Sequence, residues 1–315
     1  MIGVISYLVF FATVASILSI AVLGLNLQWG NTGLFNGGVV AFFGAGAYGT
    51  LILGGTPQAG QMGGFELPYL IALLGGMVIS GIVAWVVGLL TLRLRHDYLA
   101  IATFGVAVAF ETVMRNSDWL GGAQGIRGFE RPLRDALGNG FSYNLAFLAF
   151  VLVVLIGIYL FLERLIASPF GRLLRAIRED ETAARSLGKS PSRIRLTAFV
   201  AGSVIMGLAG GLYATFYAFI SPQDVLPILT FQIWAMLIVG GAGNNKGAVM
   251  GTFLIWAAWT ASGWALSRFA PMDVQLYTGS IQFVLIGLVI VGMLMWRPQG
   301  LFPEKLVVSQ SAKDK

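Results

Sequence analysis

Long apolar runs separated by short polar connections fill almost the whole chain. A run of about 18 or more apolar residues is long enough to cross a bilayer as a helix. The pattern predicts an all-α membrane protein, a polytopic helical bundle of about nine (8–10) transmembrane helices. The predicted spans are Ile2–Leu23, Gly33–Leu53, Leu67–Leu92, Tyr98–Met114, Leu145–Leu162, Leu196–Ile220, Thr230–Gly241, Ala248–Leu266 and Thr278–Trp296. Glycines interrupt or shorten the second and seventh spans, which makes these two candidates for broken or re-entrant helices.

The composition excludes a soluble globular protein. Hydrophobic residues make up 57% of the 315 residues and charged residues only 11%, against about 25% charged residues in typical soluble chains. The 42 glycines agree with a membrane bundle, because small residues let helices approach closely in lipid. The net charge of +6 is assigned to cytoplasmic loops and not to a nucleic-acid surface. The run Met1–Leu27 lacks the features of a signal peptide and is predicted to be the first span.

The chain lacks the residues that most catalytic and metal sites need. It has no cysteine, which excludes disulfides, thiolate metal sites and cysteine nucleophiles. His96 is its single histidine, so neither a histidine metal cluster nor a histidine-assisted triad can form within it. We therefore expect no catalytic site, no metal site and no cofactor in this chain.

Three clusters of basic residues set the predicted orientation, because Lys and Arg collect in cytoplasmic loops. The clusters are Arg93, Arg95 and His96, then Arg164–Arg195, then Arg297, Lys305, Lys313 and Lys315. Even numbers of predicted spans separate them, so all three fall on one side of the membrane. The N-terminus is then outside and the C-terminus cytoplasmic. The connection Asn116–Asn144 falls outside despite its three arginines.

The cytoplasmic loop at 163–195 is the most informative stretch of the predicted membrane domain, residues 1–302; residues 303–315 would be a cytoplasmic tail. It holds eight of the 20 Lys and Arg residues. Ser168 can cap a helix that begins at Pro169, and Gly188 can end it. One face would carry Phe170, Leu173, Leu174, Ile177, Ala184 and Leu187, and the opposite face Arg172, Arg175, Arg178, Glu179 and Arg185. Such a helix either lies on anionic membrane lipid or docks in the groove of a soluble partner.

The segment Ser168–Gly188, SPFGRLLRAIREDETAARSLG, resembles the cytoplasmic coupling segment of permease subunits of branched-chain amino acid ABC importers of the LivM type. Five further blocks resemble the same family in order along the chain: Gly24–Tyr48, Leu92–Gly105, Ala209–Pro222, Met236–Gly251 and Trp296–Phe302. The resemblance implies a bacterial cytoplasmic-membrane subunit. It would work with a second permease, two cytoplasmic ATPases and a periplasmic or lipid-anchored substrate-binding protein.

The resemblance also assigns roles to the loop. The ATPase-coupling residues would be Ser168, Pro169, Phe170, Gly171, Arg172, Leu173, Leu174, Arg175, Ile177, Arg178, Glu179 and Gly188. Phe170, Leu173, Leu174 and Ile177 would pack in an ATPase groove, and the arginines would supply electrostatic fit. The run Gly240–Gly247 only superficially resembles a phosphate-binding loop, because Gly is missing before Lys246 and Ser or Thr after it. Any ATP would therefore bind to partner subunits, and this chain is not expected to be an enzyme.

Polar residues inside apolar spans are candidates for the substrate pathway, because their burial in lipid is costly. The candidates are Asn26, Gln28, Asn31, Asn36, Glu111 and Gln232. Each also has a structural interpretation: the amides would join helices, and Glu111 would pair with Arg115 one turn on.

The cargo stays open at this point. The family usually has a Ser-x-Gly-His-like run where this chain has Phe35–Gly38, and often an aromatic residue and a proline at Lys246–Ala248. We expect import of branched-chain or related aliphatic amino acids; urea or short amides are the alternative cargo. A stand-alone secondary transporter or channel is the alternative class, but it would need buried titratable residues, of which only Glu111 is clear.

Overall fold

The computed structural model describes residues 2–58, 60–94, 96–127, 129, 131–132, 138, 140–269 and 271–304. The structure is 78% helical and, within these ranges, contains no β-strand. Several predictions lie outside the described residues: Arg95, the side chain of His96, Arg134, and the tail from residue 305, with Lys305, Lys313 and Lys315.

Twelve α-helices follow one another in the described part of the chain. They are α1 (Ile2–Gln28), α2 (Val39–Gly54), α3 (Tyr69–Thr91), α4 (His96–Asn116), α5 (Phe141–Ala167), α6 (Pro169–Glu179), α7 (Glu181–Ser186), α8 (Pro191–Tyr217), α9 (Ile228–Gly240), α10 (Asn245–Phe269), α11 (Met272–Gln275) and α12 (Thr278–Trp296). Short 3-10 helices lie at Asp118–Leu120, Gly122–Gln124 and Pro222–Val225. One isolated bridge joins Ile126 to Ile220.

Seven of the described helices are long and apolar enough to cross a membrane. These are α1, α3, α4, α5, α8, α10 and α12, and the predicted class of a helical membrane bundle is confirmed. The other two apolar helices, α2 and α9, are shorter and coincide with the predicted second and seventh spans. No α-helix covers the residues just before either one: residues 29–38 precede α2, and residues 218–227, with the 3-10 helix Pro222–Val225, precede α9. The count of nine crossings stays a prediction.

The bundle is built around α2 and α8, which pack closely together; both pack against α3, and α8 also packs against α1. Small residues allow this approach. A Cβ atom on Gly46 of α2 would overlap the backbone of Gly207 on α8, and one on Gly210 would overlap the Phe43 carbonyl. Between α1 and α8 the same relation holds at Gly24 and Gly202. In lipid such contacts stabilise helix pairs through van der Waals packing.

The basic clusters that the structure describes lie at one end of the bundle, here called the α6 end. Arg93 and Arg195 line the same cavity, and Arg178 of α6 bonds to Glu304 of the C-terminal segment. That segment returns along the end of α9, where Leu301 N donates to Val239 O at 2.9 Å. The basic residues share one end of the bundle, which agrees with their predicted placement in loops on one side of the membrane. Which side of the membrane this end faces stays a prediction.

We predict that Gly46→Leu disrupts the packing of α2 on α8. Overpacking at a close contact costs about 1–3 kcal/mol or more, and here the added side chain meets backbone that cannot move aside. Gly105→Leu on α4 is the matched control, because nothing lies within 4 Å of a Cβ at that position. Thermal unfolding in detergent should show a lower midpoint for Gly46→Leu only. Equal midpoints for the two variants would contradict the packing account.

Candidate functional site

The predicted amphipathic segment forms two helices, not one. As predicted, Ser168 caps α6, since its Oγ accepts from Gly171 N at 3.4 Å, and Pro169 is the first helical residue. The expected continuous helix to Gly188 is wrong, because the backbone at Asp180 is extended, with φ −150°. The Asp180 carboxylate instead caps α7, accepting from Thr182 N at 2.8 Å and Ala183 N at 3.0 Å. Gly188 follows α7 in a left-handed conformation, with φ +73°.

The apolar face of α6 packs against its own chain. Leu174 and Ile177 are 0% and 5% exposed, and Phe170 and Leu173 are partly buried. The expectation that Leu174 and Ile177 enter an ATPase groove is therefore corrected: they hold α6 against the membrane domain. Leu187 was expected on the same stripe, but it is 79% exposed at the end of α7 because the break at Asp180 turns the chain. The outward face of the segment presents Arg172, Ala176, Glu179, Arg185 and Leu187.

Arg178 connects α6 to two other parts of the bundle. One guanidinium nitrogen donates to the Gly30 carbonyl and the other to Glu304 Oε2, at 2.8 Å for the latter. Gly30 belongs to the non-helical segment 29–38, so α6 and that segment are directly bonded. In this structure the Arg178 side chain bonds within its own chain, and its predicted role in electrostatic fit to a partner stays a prediction. Arg175 and Arg172 make weaker bonds to carbonyls at the end of α5, at 3.3 and 3.4 Å.

A buried network of amide side chains holds the non-helical segment between α1 and α2 in place. Asn36 Nδ2 donates to Gln28 Oε1 at 2.8 Å, and Asn36 Oδ1 accepts from Gly38 N at 2.7 Å. Gln28 Nε2 donates onward to α8, to the Phe199 carbonyl at 2.7 Å and Ser203 Oγ at 3.0 Å. These bonds supply partners for polar groups that cannot find water inside a membrane bundle.

A second amide cluster joins α1 to the start of α10. Asn26 Nδ2 donates to Asn245 Oδ1 at 2.9 Å, and Gly243 N donates to Asn26 Oδ1 at 2.8 Å. Asn31 Nδ2 donates to the Asn26 carbonyl at 3.1 Å. Like Gln28 and Asn36, Asn26 and Asn31 are buried. In this conformation the four amides therefore fix neighbouring segments, and their place in the substrate pathway stays a prediction.

The N-terminal ends of the two short helices meet inside the bundle. Val40 N of α2 donates to Thr230 Oγ1 of α9 at 3.2 Å, and the helices run from there toward opposite ends. Such N-terminal ends can bind a carboxylate. Gly37 N and Gly38 N are already bonded, however, to Thr103 Oγ1 at 2.8 Å and to Asn36. This conformation therefore holds the α2 end closed.

An apolar cavity of about 560 Å³ lies beside this junction. Trp29, Phe35, Phe104, Phe231 and Trp234 contribute aromatic side chains to its wall, together with Thr230 and aliphatic residues of α4, α9 and α12. The rings of Phe35 and Trp234 stack with centroids 4.2 Å apart, and Trp234 Nε1 donates to the Asn36 carbonyl at 2.9 Å. The amide network thus also positions the aromatic wall.

The remaining pathway candidates lie elsewhere. Glu111 is 8% exposed and forms the predicted ion pair with Arg115. Gln232 is buried on α9, and its Nε2 has no hydrogen-bond partner among the described residues. Sequence reasoning missed Asp224, which forms a capping box with Ser221: its Oδ2 accepts from Ser221 N at 2.9 Å and Ser221 Oγ at 2.7 Å. The Ser-x-x-Asp spacing of residues 221–224 was a usable signal for it.

Comparison with known proteins agrees with this architecture. Residues 7–294 match the family model described as branched-chain amino acid transport system / permease component. The chain belongs to this permease family. It is 32% identical over 314 residues to the high-affinity branched-chain amino acid transport system permease protein LivM of Salmonella typhimurium strain LT2, covering 93% of this chain and 69% of the relative. The LivM protein of Escherichia coli K12 gives the same identity and coverage.

A shorter match links the chain to a second type of subunit. The probable branched-chain amino acid transport permease protein LivH of Methanocaldococcus jannaschii is 31% identical over 109 residues, 33% of this chain and 32% of the relative. No solved structure matches the chain. These relatives are transport permeases and not enzymes, and the family is a multi-pass membrane family.

For this permease we predict that Asn36→Leu destabilises the broken-helix segment. It leaves Gln28 Oε1 and Gly38 N–H buried without their partner, at about 1–3 kcal/mol for each unsatisfied group. Asn116→Leu is the control, because Asn116 is exposed at the end of α4 and bonds only to its own helix. Thermal unfolding should separate the two variants by several degrees. A wild-type midpoint for Asn36→Leu would contradict a structural role of the network.

We also predict that Arg178→Gln loosens α6. The change removes charge-assisted bonds to Gly30 and Glu304, each worth about 1.5–3 kcal/mol, whereas Arg172→Gln removes one long bond of an exposed side chain. Limited proteolysis should cut the 168–190 region faster in Arg178→Gln than in Arg172→Gln. Equal cleavage rates would argue against Arg178 as the connection.

Proposed function

We propose that the chain is the transmembrane permease subunit of an ABC importer that translocates branched-chain or related aliphatic amino acids. Separate cytoplasmic ATPase subunits would bind and hydrolyse ATP, and a substrate-binding protein would deliver the cargo outside. A second permease subunit would complete the membrane part, as the resemblance to both LivM and LivH supports. The N-terminus would lie outside, and the α6 end with the C-terminus would face the cytoplasm of a bacterial inner membrane.

One observation carries this proposal: Arg178 bonds α6 directly to the broken-helix segment at Gly30. The buried side chains of Leu174 and Ile177 seat α6 firmly, while Arg172, Glu179 and Leu187 face outward. A partner that pushes on the outward face would therefore move the segment 29–38 with it, as expected of rigid-body coupling. That segment borders the cavity beside the α2–α9 junction.

The cavity supports an aliphatic cargo. Its aromatic and aliphatic wall suits a branched side chain, whereas urea or a short amide has no such apolar group to bury against it. The described residues give little support to a stand-alone transporter. Glu111 forms an ion pair with Arg115, which leaves its carboxylate poorly placed to exchange a coupling ion.

Co-purification tests the proposed coupling. We expect the candidate ATPases and second permease to co-purify with the wild-type chain. The double variant Arg172→Glu/Leu187→Glu should reduce ATPase recovery about tenfold, as expected when two central contacts costing about 1.4 kcal/mol together are lost. It changes only exposed side chains, so the second permease should still be recovered.

The matched control is Arg268→Glu/Leu276→Glu. It makes the same chemical changes at exposed positions on α10 and beyond α11, at the opposite end of the bundle from α6. ATPase recovery should stay at the wild-type level. Loss with both double variants would indicate a general effect of charge, and recovery of the chain alone in every case, with the partners expressed, would favour the stand-alone transporter.

A further inference from the structure

A polar cavity of about 550 Å³ lies at the α6 end, away from the broken-helix junction. It forms where the turn after α3 meets α7 and the start of α8. Its wall is Leu92, Arg93, Leu94, Glu181, Arg185, Ser192 and Arg195. Three arginines against one carboxylate give this wall a formal charge of +2.

The single carboxylate is fully engaged within the chain. Glu181 Oε1 accepts from Arg185 Nη2 at 3.0 Å, and Oε2 accepts from Arg195 Nη1 at 2.8 Å. Arg93 is exposed and has no ion-pair partner among the described residues. The cavity therefore keeps an unneutralised positive charge after its internal ion pairs have formed.

Arg195 supplies an independent sign that an acceptor is missing. The residue is only 8% exposed, and its Nε has no hydrogen-bond partner within the described chain. An unsatisfied buried donor on a charged group is costly. An anion in the cavity would meet the exposed Arg93 and the Arg195 side chain on the same wall.

An apolar stripe leads from the membrane-facing side of α3 to this cavity. Ile82, Val86 and Leu90 lie four residues apart, so they share one face of α3, and all three are exposed. Leu94 continues the spacing and lines the cavity itself. A small inorganic anion would make no use of such a stripe, whereas a phospholipid has both an anionic head and an apolar chain.

We propose that this cavity binds the phosphate headgroup of an anionic phospholipid, with an acyl chain along the Ile82–Leu94 stripe. Arg93 and Arg195 would bind the phosphate oxygens. Because Arg185 and Arg195 also hold Glu181, the first residue of α7, an occupied site sets the position of α7. The site is independent of the proposed transport cargo, since it needs only the fold and the surrounding bilayer.

Lipid retention by the delipidated full-length chain in neutral detergent tests the site. Native mass spectrometry should detect one phosphatidylglycerol bound more tightly than phosphatidylcholine, and the same lipid should raise the unfolding midpoint. Arg93→Gln should weaken phosphatidylglycerol binding about fivefold, as expected for one charge at a lipid surface. Arg93 is exposed and has no ion-pair partner among the residues that the structure describes, so this variant should fold normally. Arg268→Gln, at the opposite end, is the control and should bind like wild type.

Two further arms identify the occupant. Inorganic phosphate at the same concentrations should neither stabilise the chain nor displace the lipid. Leu90→Ser should weaken only the binding of the lipid. The proposal is overturned if phosphatidylcholine binds equally well, if Arg93→Gln binds like wild type, or if phosphate competes as effectively as the lipid. Unchanged lipid retention in Arg93→Gln together with reduced ATPase recovery would assign the cavity to a protein partner instead.

Discussion

The structure depends on one constraint: backbone polar groups that leave a helix inside a membrane bundle must find partners within the protein. The chain between α1 and α2 is non-helical and bonds to α4 and α9, and Gln28 just before it bonds to α8. Gln28 and Asn36 meet the constraint by bonding to each other and to neighbouring backbone groups. The short helix α2 can start inside the bundle because these partners are in place, and the aromatic cavity wall depends on the same bonds.

The amphipathic segment at the surface of the bundle also supplies a partner for a backbone group of the non-helical segment. Leu174 and Ile177 give α6 an apolar face, and the uncovered end of the membrane domain accepts it. Arg178 then satisfies the Gly30 carbonyl, which lies in the non-helical segment. A soluble partner would therefore meet the polar outward face of α6 and the exposed Leu187, and its movement would reach the broken helix through a single side chain. Thus α6, which would meet the partner, and the broken-helix segment are connected by a hydrogen bond and not by proximity alone.

Sequence patterns were sufficient for features that depend on local composition. Apolar run length predicted the helical bundle, glycine interruptions marked the two shorter helices, and Ser168–Pro169 located the start of α6, because each signal arises within a few turns of chain. The i,i+4 spacing likewise predicted the Glu111–Arg115 pair. The prediction of which surface covers the apolar face of α6 was wrong. An apolar stripe has the same spacing whether it covers its own domain or enters a partner, so the burial of Leu174 within the chain was not predictable from α6 alone.

The amino-acid sequence by itself therefore determined the class of the molecule, its long apolar helices and its family, and it marked several of the buried polar residues. Tertiary structure alone decided what those residues contact. Asn26 bonds to Asn245, and Arg178 bonds to Glu304, although more than a hundred residues of chain separate the members of each pair. Such pairings depend on how whole helices pack through contacts such as Gly46 on Gly207, and no local pattern records them. The physical reason is that hydrophobic spacing specifies that a face is buried, whereas only close packing of the assembled bundle specifies the surface that buries it.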